Sequence, residues 1–149
     1  MKEYYTLGFV FNADASKVLL IEREKDDWQK GKLNGLGGKL EGAEHPRLAM
    51  SREFLQESGI DCPPGAWHAF GIHHGDGFQI YLFTTEFHGD FQPKCTAEGR
   101  ADFYEVDRLP ANILPNTKWM IDMARSFRMG ETARGFEIRE HAEEVQFPR

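Results

Sequence analysis

Clusters of apolar residues, spaced by polar and glycine-rich stretches, divide the chain into short strands and two helices. Tyr4–Phe11 is rich in aromatic and β-branched residues, Lys17–Arg23 is a second apolar run, and Asn12–Ser16 between them is turn-forming. That pattern predicts a hairpin. Residues 24–38 are polar and glycine-rich, which predicts a loop. A first helix is expected to begin near Pro46, because proline's missing N–H has no intrahelical partner in the first turn. Gly59 supplies its left-handed stop. Two further strands are expected over 67–74 and 78–87, around the turn-forming Gly75–Gly77, and a short one over 101–106. Trp119, Met120, Met123, Ala124 and Phe127 recur at helical spacing and predict a second helix over 115–127. The charged tail from Gly130 supports no assignment. Strand groups on both sides of the first helix predict a mixed sheet with helices packed against it, an α/β architecture. The 149 residues contain no linker or repeat, so one domain over 1–149 is expected.

The first helix carries the chemistry. At about 100° per residue, Leu48, Met50, Phe54 and Leu55 fall on one arc, expected to pack on the sheet. Glu53, Gln56 and Glu57 fall together on another. Carboxylates this close repel one another unless a cation lies among them. Oxygen donors of this kind suit magnesium, with manganese as the alternative ion. The Leu36–Lys39 run just ahead can bring a backbone carbonyl near, since glycine has no side chain in the way. Taken alone, three such residues are also what a solvated acidic helix face looks like.

Charge and cysteine content narrow the partners. A net charge of −6 argues against general binding to a nucleic-acid backbone, but not against a small phosphorylated ligand held through a metal ion. The two cysteines, Cys62 and Cys95, lack metal-binding spacing, so a reducing cytoplasm is the expected setting. No stretch approaches a membrane span, and residues 1–20 do not read as a signal peptide. Oligomeric state is not legible.

The stretch from Gly37 to Ile60 adds a resemblance. Gly38 is followed after five residues by Glu44, and after seven more by Arg52, Glu53, Phe54, Leu55, Gln56, Glu57, Ser58, Gly59 and Ile60. This resembles the Nudix box, matching all its specified positions except one, where Gln56 stands for a glutamate. The resemblance implies a Nudix-type α/β/α sandwich and magnesium-dependent attack of water on a nucleoside diphosphate linked to another group. It implies Glu53 and Glu57 as metal ligands, one box glutamate helping to deprotonate water, and the Gly37 carbonyl as a further ligand. Arg52 would pair with Glu44 to orient the helix. Gln56 is neutral, so weaker metal binding is expected there.

By the same resemblance, Glu98 is a candidate base or ligand, and Arg23 and Lys39 are candidates for substrate phosphates. Asn34 and Asn116 correspond to base-reading positions in members that act on oxidised purine nucleoside triphosphates such as 8-oxo-dGTP. An asparagine suits that task because it offers donors and an acceptor together. The implied substrate is therefore a purine nucleoside triphosphate, cleaved to the monophosphate and pyrophosphate. ADP-ribose, nucleotide sugars, dinucleoside polyphosphates, RNA 5′ ends and a weakly active binding module are the alternatives. Trp28 is a candidate for stacking on a base, whereas Trp119 fits core packing better. His73 and His74 are adjacent on a strand and point to opposite faces, so joint chelation is not expected.

Overall fold

The computed structural model of the protein describes residues 2–130 and 135–140. Strands β1 (Glu3–Phe11), β2 (Lys17–Arg23), β3 (Leu33–Asn34) and β4 (Leu36–Lys39) precede helix α1 (Pro46–Ser58). Strands β5 (His68–Gly75), β6 (Phe78–Glu86), β7 (Lys94–Thr96) and β8 (Gly99–Glu105) follow, then helix α2 (Pro115–Arg128) and strand β9 (Phe136–Arg139). The strands form one mixed sheet in the order β7-β8-β2-β1-β6-β5-β9, with β3 paired to β2 and β4 to β1. β1 lies in the middle, parallel to β6. Its alternation sends Phe9 and Phe11 to one face and Val10 to the other, and all three are buried.

Each face carries one helix. Phe9, Phe11, Leu20 and Leu82 pack with Met120, Ile121 and Ala124 of α2. Val10, Leu19, Ile21 and Phe83 pack with Met50 and Phe54 of α1 and with Trp67. The expected hairpin forms only beside its turn, where Val10 pairs with Leu19 and Phe11 with Val18. Beyond that point β1 and β2 splay, and β3 and β4 fill the wedge between them.

Three expectations need correction. The glycine-rich end of the 24–38 segment is not loop but β3 and β4. Its glycines serve close approach rather than turning: a Cβ on Gly35 would lie 2.8 Å from the Gly8 carbonyl oxygen, and one on Gly37 only 2.0 Å from that of Thr6. The packing arc of α1 is also displaced. Leu48 and Leu55 are 53% and 48% exposed, while Ala49, Met50, Phe54, Glu57 and Ser58 face inward. Charge made Glu57 read as an outward residue, yet it shares the buried face, because β4 and β2 supply polar partners there. Strand β7 was not expected at all, and β9 arises inside the unassigned tail. The ends of α1 follow the expectation. Pro46 opens it, with the His45 ring accepting from the Arg47 N–H, and Gly59 closes it at φ 77°.

Candidate active site

The Gly37–Gly38 backbone, the inner end of α1, the end of β2 and the turn before β8 converge on one cleft of about 540 Å³. Arg23, Asn34, Gly37, Gly38, Lys39, Glu53 and Glu98 line it, together with Trp28. Glu57 lies behind the cleft, bonded to two of its lining residues, Gly37 and Arg23. Only 1% exposed, its carboxylate accepts the Gly37 N–H at 2.8 Å through Oε1 and pairs with the Arg23 guanidinium at 3.1 Å through Oε2. Arg23 reaches Glu98 with its other terminal nitrogen at 3.7 Å, so one arginine bridges two acids. The Arg23 Nε is buried and has no hydrogen-bond partner among the described residues.

Arg52 is the anchor of the helix. Its Nε and Nη2 grip both oxygens of Glu44 at 3.0 and 2.9 Å, and its Nη1 donates to Glu53 at 2.8 Å. Nη2 also reaches the Lys39 carbonyl at 3.2 Å. This bidentate pair lowers the Glu44 pKa and raises that of Arg52. Glu53 is thereby aimed at the glycine pair. A Cβ on Gly38 would lie 2.6 Å from the Glu53 carboxyl carbon, so the missing side chain is what lets the acid sit there.

Burial is the first cause that pushes the Glu57 carboxyl up, to about 8, against the Gly37 N–H and Arg23, which pull it down. A folded pKa above the unfolded one means that the native state holds the proton more tightly. In metal-free buffer its contribution to stability should be fully present below about pH 4.5 and lost as the pH rises through 8. Melting temperatures measured in chelator from pH 5 to 9 should fall up to about pH 8 and level off above it, and Glu57→Gln should flatten that fall. Equal slopes for the two proteins would contradict the assignment.

All-oxygen donors are the kind a hard divalent cation takes. Glu53, Glu57 and Glu98, with the glycine backbone beside them, provide such a set. Among the described residues, no three His, Cys, Asp or Glu side chains are gathered into a ready cage.

Over residues 2–127 the chain matches the NUDIX domain. The chain belongs to the Nudix family. A Danio rerio protein, oxidized purine nucleoside triphosphate hydrolase, is 26% identical over 98 residues, 62% of this chain and 61% of that one, so the chain spans about three fifths of that relative. An Escherichia coli (strain K12) protein, CTP pyrophosphohydrolase, is 32% identical over 95 residues, 62% of this chain and 70% of its own. The solved structure of a MutT protein from Bacillus halodurans superposes with a TM-score of 0.69 at 19% identity, covering 91% of this chain and 86% of that one. The mixed sheet with a helix on each face is therefore the Nudix fold.

The other expected residues of this Nudix chain fall in different places. Lys39 lies at the cleft but is tied to Glu3 at 2.9 Å. Gln56 is exposed on α1 and is not among the cleft residues. Asn34 lines the cleft, whereas Asn116 is exposed and does not. Its buried neighbour Thr117 is the one that meets Asn34, with its hydroxyl 2.7 Å from Oδ1. Buried threonine at a helix start reads as a capping or packing residue, so sequence reasoning passed over it. Trp28 is 76% exposed at the cleft lip. Trp119 packs against the α2 core as expected. His73 binds Glu140 and His74 binds Glu137, both outside the cleft. No helix among the described residues is long and apolar enough to cross a membrane.

Proposed function

We propose that this Nudix domain is a hydrolase that cleaves a purine nucleoside triphosphate, with oxidised forms such as 8-oxo-dGTP included, to the monophosphate and pyrophosphate. One observation carries the reading. A single cleft holds the acids Glu53 and Glu98, with Glu57 bonded to its Arg23 and Gly37, together with Asn34 and the exposed Trp28, which offer a polar edge and an apolar face. That combination suits a ligand with a charged phosphate chain at one end and a flat base at the other.

Glu53 and Glu57, with the Gly37 carbonyl, would hold magnesium, and manganese would serve in its place. Bound there, the cation would screen phosphate oxygens and make water more acidic. Glu98, which lines the same cleft, would take a proton from the attacking water. Arg23 and Lys39, which both line the cleft, would meet the phosphates. Arg52 acts at one remove, holding Glu53 in line through its clamp on Glu44. The ligand is a small molecule rather than a nucleic-acid polymer, in keeping with the net charge of −6.

A substrate panel in magnesium, with products identified by mass, tests the reading. The expected result is pyrophosphate and a monophosphate from dGTP and its oxidised form, with slower turnover of CTP and ADP-ribose. Turnover of ADP-ribose alone would overturn the triphosphate assignment.

A further inference from the structure

We propose that Thr117 is a positioning residue that makes Asn34 a donor-only contact, so that the cleft selects a base presenting an oxo group over one presenting an amino group. The inference rests on the nucleotide reading above and adds the class of base. Its basis is the occupancy of one oxygen. The Gly35 backbone N–H lies 2.8 Å from Asn34 Oδ1. A backbone N–H can only donate, so the atom facing it must be the amide oxygen, and the orientation of the amide follows. The Thr117 hydroxyl, 2.7 Å from that same oxygen, must then donate as well.

Two donors fill the two lone pairs of Oδ1, and nothing is left there to accept from a ligand. The Nδ2 amine remains. Among the described residues its one hydrogen bond is a long one, 3.4 Å to Gln29 Oε1, which uses at most one of its two hydrogens. Asn34 and Gln29 both line the cleft, so the remaining hydrogen belongs to the cleft wall. An oxo group, as on guanine or uracil, accepts that hydrogen. An exocyclic amine, as on adenine or cytosine, would set donor against donor and leave both unsatisfied. Thr117 is only 1% exposed and sits at the start of α2, so the helix anchors the hydroxyl rigidly.

The experiment compares the wild type with Thr117→Val, Thr117→Ser and Asn34→Asp. For each, kcat/KM is measured for dGTP against dATP and for dUTP against dCTP, and Kd is measured by calorimetry for the four monophosphates. The wild type should favour the oxo base by about tenfold or more in both pairs. Thr117→Val removes one of the two donors that pin the oxygen. The preference should shrink severalfold through KM and Kd, with kcat for dGTP little changed. Thr117→Ser keeps the hydroxyl and should keep the preference, while Asn34→Asp places an acceptor at the cleft and should reverse it. A preference in Kd without hydrolysis of any triphosphate would sink the proposed activity and leave this inference standing. Absence of any oxo preference in the wild type, or an equal loss for all bases in Thr117→Val, overturns it.

Discussion

Glu57→Gln should lower turnover by more than about a hundredfold at saturating magnesium while the protein stays folded. Loss of groups that merely orient metal ligands costs about 10- to 100-fold, so loss of a direct ligand must exceed that range. The geometry indicates why folding should survive. The glutamine oxygen can still accept the Gly37 N–H, as Oε1 does at 2.8 Å. Its amine would then face the Arg23 guanidinium, and the ion pair at 3.1 Å is lost. Against that loss, the buried site no longer has to hold a charge, and burial is the largest influence on this carboxyl. Steady-state kinetics with a thermal melt on the same sample decide the matter. A folded variant with near-native turnover would remove Glu57 from the metal site.

Gly37→Ala should have the largest effect on stability, about 3 kcal/mol or more, from steric collision and backbone strain together. For a chain of this size that is about 10 °C in Tm. The new Cβ would meet the Thr6 carbonyl oxygen at 2.0 Å, and the backbone lies at φ 155°. Neither contact can yield without parting β4 from β1, where Gly37 pairs with Leu7. Gly42→Ala is the control. Its φ of 56° carries a strain of about 1–2 kcal/mol, but nothing lies within 4 Å of its Cβ. Equal melting losses in the two variants would show that close approach at Gly37 is not what counts.

These two residues also mark how far the sequence could be read. The limits of α1 were legible because Pro46 and Gly59 act locally, within one turn of the helix end. The acid-bearing stretch was legible because its residues are close in sequence. The burial of Glu57 was not, since its partners lie 20 and 34 residues away. A helical wheel counts any charge as outward until such partners are known, and Leu48 and Leu55 were placed inward as a result. β3 and β4 were hidden for a similar reason. Three glycines within five residues read as a turn, and only the β1 backbone beside Gly35 and Gly37 and the Glu53 carboxylate beside Gly38 show that they make room. At the start of α2, the contact of Thr117 with Asn34 was hidden for the same reason, because the two lie 83 residues apart.

The family match ends at residue 127, yet the sheet continues to β9, which runs parallel to β5 from Phe136 to Arg139. β5 is otherwise the last strand on that side. Shortened to the matched region, the protein would present the open backbone of β5, with Phe70 close beside it, as a template for another chain. The last described strand thus acts as a hem, and His73 and His74 are its stitches, each binding a glutamate of that segment. The cover of the β5 edge is therefore written beyond the region that matches the family.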